Sequence, residues 1–204
     1  MWECYDVKAP FRSDMYESTV RQIKEDTWLS LTDFPEPKIE PKIVFGLGAV
    51  PRSGMDEAEL LASFEWVALG FEIVSSIYSA WQFKRADAVA ACGLHFALRI
   101  GEGIPIESDV WMASLVSFRL YLFRNGECVA RGGGADVLGS PLKALRHLND
   151  LLSDLALGVA FRGKRHDQHW HFDARDGRIH GRRMARRACG HRVAAGHHDT
   201  DVRV

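Results

Sequence analysis

The sequence predicts an α+β fold that is rich in strands and has one strongly amphipathic helix. Three segments indicate this class. Residues 38–47 alternate in polarity as a strand does, residues 116–131 have the pattern of a β-hairpin, and residues 141–155 carry leucines at helical spacing. Strand and helix patterns do not alternate regularly along the chain, so a doubly wound parallel sheet is not expected. A length of 204 residues suits one domain with a substantial core.

The composition is that of a globular protein, with 47% hydrophobic and 26% charged residues. No apolar run reaches the roughly 20 residues that a bilayer-spanning helix needs. The first residues lack the basic and apolar regions of a signal peptide. The four cysteines are far apart in the sequence, which favours free thiols. We therefore expect a cytoplasmic protein with no membrane partner.

The first part of the chain predicts one polar segment and one strand. Residues 15–28 are polar and predict a helical or turn-like stretch. In residues 38–47, Glu40 and Lys42 lie on one face of the strand, because side chains alternate between faces. Pro41 cannot donate a hydrogen bond to a neighbouring strand, so the strand is expected to be at an edge or bulged at that point.

The middle of the chain predicts alternating short elements. Residues 55–65 have the pattern of a short helix, and residues 66–78 predict a buried strand with Glu72 in its middle. Residues 84–91 are rich in alanine and predict a helical turn. Residues 93–100 predict a further strand.

Residues 116–155 carry the clearest local signals of secondary structure. Residues 116–131 predict a hairpin around an Asn-Gly turn at 125–126, since that dipeptide tolerates positive φ. Three glycines at 132–134 allow the backbone to bend or to approach a ligand. Ser140 stands where an N-cap is expected, and a proline follows it at the first helical position. Within residues 141–155, the leucines recur at helical spacing and form one apolar face.

Two carboxylates, Glu40 and Glu72, stand in otherwise apolar strands. A buried ionised carboxylate without a partner is very costly, so such a residue is usually paired or bound to a cation. Two interpretations are open for Glu40. It contributes to an oxygen-ligand site for a hard divalent cation, or it forms an ion pair with Lys38 and Lys42 on an edge strand. Glu72 is harder to explain as an ion pair, because its neighbours in sequence are apolar.

Several segments together resemble one family. They are Pro-Lys-Ile-Glu-Pro-Lys-Ile-Val-Phe (37–45), Gly-Phe-Glu-Ile-Val (70–74), Ala-Asp-Ala-Val-Ala (86–90) and parts of residues 125–148. In this order they resemble the fumarylacetoacetate hydrolase superfamily, in its 2-keto-4-pentenoate hydratase and 4-oxalocrotonate decarboxylase branch. The resemblance implies a compact mixed β-sheet with flanking helices, incomplete in this chain. It covers roughly residues 1–160.

The resemblance implies a metal-dependent lyase or hydrolase that acts on small 2-oxo acids of aromatic catabolism, with Mg²⁺ or Mn²⁺ as cofactor. Glu40 and Glu72 then take the places of two family metal ligands. The middle acid of the family motif falls on Lys42, so we expect metal binding to be much weakened. The alternative is that Lys42 turns aside and the two carboxylates still hold a metal with substrate. A homo-oligomer is a further expectation, since family members are commonly oligomeric.

Three more residues are assigned to the site by the resemblance. Lys84 and His95 take catalytic places, and Gln82 takes a substrate-binding place. The assignments of Lys84 and His95 each have a simpler alternative. Lys84 and Arg85 make an ordinary solvated pair, and a single histidine in an apolar strand is more often a hydrogen-bonded core residue. Asp87, in the same region, is expected to cap a helical turn rather than to orient a site.

The two ends of the chain differ from the family pattern, so two domains are predicted. Residues 1–161 are the hydratase-like core and carry 15 Lys+Arg against 22 Asp+Glu, whereas residues 162–204 carry 11 against 5 and seven of the nine histidines. The core begins inside the family pattern, which predicts N-terminal truncation. A one-nucleotide shift in the tail permits the family motif Gly-Thr-Leu-Thr, which predicts an out-of-frame, disordered segment.

Other interpretations of the tail and of the whole chain are open. His166, His169 and His171 suit a transition metal in residue type, although a closed structural site would need more ligands. The arginines of 182–187 favour weak electrostatic contact with nucleic acid, without a specific partner of that kind. For the whole chain, the alternative to an enzyme is a catalytically inactive, truncated remnant of the family.

Overall fold

The fold is taken from a computed structural model. It describes residues 13–23, 28–107, 110–124 and 127–154, and the backbone of two short strands at 169–173 and 201–203. In chain order the elements are β1 (Val20–Gln22), β2 (Trp28–Ser30), β3 (Lys38–Leu47), α1 (Glu57–Leu61), β4 (Phe64–Val74), α2 (Arg85–Ala90), β5 (His95–Ile100), β6 (Ile104–Pro105), α3 (Val110–Ser117), β7 (Arg119–Arg124), β8 (Glu127–Gly133), α4 (Pro141–Asp154), β9 (His169–Asp173) and β10 (Asp201–Arg203).

A six-stranded mixed sheet organises the described part of the chain. Its order is β1-β5-β4-β3-β9, and β6 also pairs with β4. β1 runs parallel to β5, and the other neighbours in this sheet are antiparallel. Two two-stranded sheets, β7–β8 and β2–β10, accompany it. The α+β prediction is confirmed.

Apolar packing covers both faces of the central strands. On one face, Phe45 of β3 lies in a buried cluster with Leu60 of α1 and Leu142 of α4. Val44 packs in a second cluster with Leu98 and other buried residues. A third cluster lies towards the beginning of β3. Burying such side chains contributes about 1.5–3 kcal/mol each, and the same apolar surroundings remove water from any charged group in these strands.

Local capping explains the two helices that were predicted most directly. The Asp56 side chain accepts hydrogen bonds from the backbone N–H groups of Ala58 and Glu59 at 2.9 Å, and the Glu59 carboxylate accepts from the Asp56 N–H. This capping box starts α1 inside the predicted range 55–65. Ser140 accepts from the Leu142 N–H at 3.1 Å and starts α4. Residue 155, predicted to end this helix, lies outside the described residues.

Predictions for the strands of the central sheet are confirmed, with small shifts in their ends. β3 has the predicted bounds. β4 begins two residues before the predicted start and ends four residues before the predicted end at 78, and β5 begins two residues after its predicted start. The register of β3 with β4 runs through Pro41 without a bulge, and β9 pairs with β3 only from Lys42 onwards. Pro41 therefore lies just where the β9 side of β3 becomes an edge, as its missing N–H requires.

Two local predictions are confirmed only in part. Residues 15–28 were predicted to be helical or turn-like, and Glu17–Thr19 form a short 3₁₀ helix there. The strand β1 follows at once, held by parallel pairing with β5, a partner far away in the sequence. The hairpin begins at Arg119, because α3 takes up Val110–Ser117. A Cβ on Gly134 would lie 1.8 Å from the carbonyl oxygen of Leu115. This glycine therefore permits close packing of the hairpin against α3. The predicted turn at 125–126 lies outside the described residues.

The tail contributes two strands that the sequence did not predict. β9 pairs with β3, and β10 pairs with β2. For the remaining tail residues, which lie outside the described part, disorder stays a prediction, as does the boundary at 161. Within the described ranges, no helix is long and apolar enough to cross a membrane. Of the cysteines in those ranges, Cys92 and Cys128 are free thiols.

Candidate functional site

Four ionisable side chains meet inside the central sheet. Glu40 and Lys42 come from β3, Glu72 from β4, and His95 begins β5. We call these four residues the charged cluster. Glu40 lies directly opposite Glu72 in the antiparallel register. Lys42 is two residues beyond Glu40 and shares its face of the strand. The cluster thus follows from strand register, which joins residues that are more than thirty positions apart.

Lys42 bridges the two carboxylates. Its Nζ lies 2.9 Å from Oε2 of Glu40 and 2.8 Å from Oε2 of Glu72. The three side chains are nearly inaccessible to solvent, with exposed fractions of 2% for Lys42, 8% for Glu40 and 5% for Glu72. Lysine normally keeps its ammonium in water. Here the ammonium is drawn inside because the carboxylates replace that water.

His95 extends the cluster to the sheet edge. Its Nδ1 lies 2.7 Å from Oε1 of Glu72, and its Nε2 lies 2.7 Å from the Thr19 hydroxyl oxygen. Nδ1 carries the proton in the first contact, because a carboxylate only accepts. The Thr19 hydroxyl oxygen also lies 2.7 Å from the carbonyl oxygen of Tyr16, so its single proton is shared between that carbonyl and Nε2 of His95. Glu72 therefore receives a different partner on each of its oxygens, and His95 is hydrogen-bonded in the core, as the simpler interpretation predicted.

The electrostatics of the cluster depend on Lys42. Like charges directly opposite each other on neighbouring strands are destabilising, and Glu40 and Glu72 have that arrangement. Their repulsion is stronger in a buried site than in water, since the effective dielectric constant is lower. The Lys42 ammonium between them changes this repulsion into two ion pairs. Removing it would leave two adjacent carboxylates without that counter-ion.

Arg99 lies near the cluster on β5. Its guanidinium donates to the carbonyl oxygen of Thr19 at 3.4 Å and to that of Leu98 at 3.2 Å. Desolvation lowers the pKa of Arg99 from its ordinary value, and the nearby positive charge of Arg21 lowers it further. Arg99 stays charged despite this shift. Its contacts fix the backbone that presents Thr19 to His95.

Two of the predicted site residues lie on the surface. Gln82 and Lys84 are exposed, in the extended connection between a 3₁₀ turn and α2. Lys84 uses its backbone N–H to donate to the Asp87 carboxylate at 2.8 Å, so the predicted capping role of Asp87 is confirmed. Arg85 is exposed beside Lys84. The catalytic and substrate-binding roles of Lys84, Gln82 and His95 stay predictions.

Thr19 is the one member of this hydrogen-bond chain that the sequence did not indicate. It lies in the stretch for which a helix or turn was predicted, and it meets His95 only because β1 pairs with β5. Across the described ranges, no group of three or more His, Cys, Asp or Glu side chains has a geometry that would hold a metal ion. A Thr19–His95–Glu72–Lys42–Glu40 chain of polar contacts stands there instead.

Sequence comparison finds relatives but no matching family model. The chain is 31% identical over 124 residues to a 4-oxalocrotonate decarboxylase of Pseudomonas sp., covering 60% of this chain and 46% of the relative. It is 32% identical over 126 residues to a 2-hydroxypent-2,4-dienoate hydratase of Pseudomonas putida, covering 60% and 54%. It is 33% identical over 128 residues to a 2-keto-4-pentenoate hydratase of Paraburkholderia xenovorans, covering 62% and 46%. The chain thus spans about half the length of these relatives.

Comparison with solved structures also finds a 4-oxalocrotonate decarboxylase. The 4-oxalocrotonate decarboxylase from Pseudomonas putida G7, complexed with magnesium and adipate, matches with a TM-score of 0.65 at 22% identity over 76% of this chain and 57% of that chain. Its complex with calcium and acetate matches with a TM-score of 0.62 at 21% identity and the same coverage. The predicted fold class is confirmed, and so is the resemblance on which it was based.

Proposed function

We propose that the chain is a lyase-type domain for small 2-oxo acids. It shares about a third of its aligned residues with 4-oxalocrotonate decarboxylases and 2-keto-4-pentenoate hydratases. It also shares the fold of a 4-oxalocrotonate decarboxylase, an enzyme of the branch of the fumarylacetoacetate hydrolase superfamily that the sequence resembles. The relatives are enzymes by name, and their names specify short unsaturated oxo or hydroxy acids. A cytoplasmic location and a catabolic role belong to the same proposal.

The observation that carries the proposal is the position of Glu40 and Glu72. We assign these two acids to a metal site on the strength of the family resemblance, and the sheet supports this assignment by bringing them directly opposite each other. The relative from Pseudomonas putida G7 is complexed with magnesium or calcium, which supports Mg²⁺ or Mn²⁺ as the family cofactor. In this proposal His95 acts beside Glu72, and Lys84 and Gln82 act on the substrate from the surface connection.

The described residues do not fit a divalent cation as they stand. Such a cation needs oxygen ligands around it at 2.0–2.6 Å. The Nζ of Lys42 occupies the space between Glu40 and Glu72, and it lies within hydrogen-bonding distance of one oxygen of each. The second oxygen of Glu72 is taken by His95. We therefore assign no reaction step to a metal in this chain.

A catalytically inactive domain is the second candidate function, and the Lys42 bridge is the observation that favours it. An ammonium in the ligand space removes the charge that a metal site of this kind requires. The chain would then keep the fold and the apolar sheet of its relatives without their chemistry. This candidate makes the opposite prediction about turnover in the presence of metal.

The two candidates are separated by assaying a conjugated dienol of the class named for the relatives, 2-hydroxypenta-2,4-dienoate. Loss of its ultraviolet absorbance is followed with the metal chelated and with Mg²⁺ or Mn²⁺ in excess. The lyase proposal predicts turnover by the native chain, none by the heat-denatured protein, and a large loss in the Glu72→Gln variant. Circular dichroism must show that the native chain is folded. Folded protein without turnover would refute the lyase proposal and support the inactive domain.

A further inference from the structure

We propose that Lys42 is a built-in counter-ion that takes the place of a divalent cation, so that the folded chain is stable without metal and one substitution opens the site to metal. The inference deepens the proposed function because it concerns the same charged cluster. It rests on the geometry of that cluster and not on turnover. Its failure can therefore be told apart from a failure of the lyase proposal.

The first step is that this part of the sheet requires a cation. Glu40 and Glu72 face each other on adjacent strands and are almost fully buried. Two ionised carboxylates in such a place repel each other and have lost their water. A positive charge that touches both carboxylates relieves both costs. Strand register alone therefore creates a space in which either an ammonium or a metal ion is favourable.

The second step is that Lys42 meets this requirement within the chain itself. It stands two residues after Glu40 on β3, so its side chain starts on the same face and reaches across to Glu72 on β4. Its Nζ approaches each carboxylate to less than 3 Å. An ammonium donates up to three hydrogen bonds and needs no further ligands from solvent or substrate. The cluster is complete without metal for this reason.

The third step concerns a carboxylate at position 42. Replacing the ammonium by a carboxylate puts three acids around one buried space, two from β3 and one from β4. Three carboxylates are a ligand set that Mg²⁺ and Mn²⁺ favour, and affinity rises with the number of charged ligands. Without metal, the same three carboxylates repel one another. The Lys42→Glu variant should therefore depend on metal for its stability, and the native chain should not.

The experiment compares thermal unfolding midpoints in excess EDTA and in millimolar MnCl₂. It uses the native chain, Lys42→Glu, and the matched control Lys143→Glu, which makes the same charge change on the exposed face of α4. We expect the native chain and the control to have the same midpoint in both buffers. Lys42→Glu should unfold at a lower temperature in EDTA, and MnCl₂ should raise its midpoint by roughly 5–10 °C. All three proteins carry the same tail histidines, so a shift common to all three is assigned to metal bound there, and the difference between Lys42→Glu and the other two tests the proposal.

Several results would overturn the proposal. One is a rise of similar size for the native chain in MnCl₂, because Lys42 would then not fill the site. Another is a Lys42→Glu variant with the native midpoint in both buffers. If Lys42→Glu does not fold in either buffer, Lys42→Ala serves in its place, since it keeps two carboxylates and vacates the space between them. Its stability should also rise with MnCl₂, and an unchanged midpoint would refute the proposal. Failure of both variants to fold would support the need for the ammonium, provided that the native chain does not respond to metal.

Discussion

Replacing Lys42 by methionine tests how much the charged cluster contributes to folding. Methionine has nearly the same length and flexibility as lysine but no charge, so the substitution removes the ion pairs with little change in volume. Glu40 and Glu72 would then face each other at less than a tenth exposure, and neither would have the ammonium on Oε2. We expect a large loss of stability for this reason.

The magnitude follows from the burial of the cluster. Removing one partner of a buried ion pair typically costs about 3–5 kcal/mol, because the other charge stays buried. We expect a loss at the lower end of this range, about 3 kcal/mol, in the free energy of unfolding. For a chain of this size, that loss lowers the thermal midpoint by roughly 6–12 °C. It is a large share of the 5–15 kcal/mol that usually stabilises a domain.

The assay is urea unfolding followed by circular dichroism, with Lys143→Met as the matched control. Lys143 is exposed on α4, so its substitution should change the free energy of unfolding by less than about 0.5 kcal/mol. Adding Glu40→Gln and Glu72→Gln to Lys42→Met removes the repulsion as well. The triple variant should therefore be more stable than Lys42→Met alone. A Lys42→Met variant within about 1 kcal/mol of the native chain, at an unchanged urea slope, would refute this account of the cluster.

Two further predictions concern the elements around the sheet. Gly134→Ala should destabilise the fold by several kcal/mol or prevent folding, because its Cβ would meet the Leu115 carbonyl oxygen at 1.8 Å. The control Gly132→Ala should cost far less, because its Cβ would come no closer than 3.5 Å to a neighbour. Equal thermal midpoints for the two variants would contradict the packing described here. Ser140→Ala removes the side-chain oxygen that accepts the Leu142 N–H and should cost about 1 kcal/mol in urea unfolding; a native value would show that this cap does not stabilise α4.

Local sequence patterns correctly predicted the elements that are specified by their own residues. β3 was predicted from strict alternation, and α4 from leucines at helical spacing after a serine and a proline. The same reasoning missed α3, because Val110–Ser117 is mostly apolar and contains β-branched residues, so periodicity alone does not separate a buried helix from a strand. It also missed β1, whose pairing with β5 joins residues that are almost eighty positions apart. Tertiary contact decides the structure of such segments.

The candidate site shows the same limit. Glu40 and Glu72 were predicted from a single physical argument, the cost of a carboxylate in an apolar strand, and His95 from its family resemblance. The bridge by Lys42 depends on the register that sets Glu40 opposite Glu72, which no local pattern specifies. Thr19 had no sequence signal at all. Sequence therefore indicated which residues are costly to bury, and the structure supplied the partners that make their burial acceptable.

A crystal structure of the native chain grown with MnCl₂, with the anomalous signal of manganese measured, tests the central claim most directly. The account predicts that the Lys42 ammonium lies between Glu40 and Glu72 and that no anomalous peak appears at the cluster. A manganese peak bound by both carboxylates, with Lys42 turned aside, would contradict it. Such a peak would show that the charged cluster of this chain binds a divalent cation.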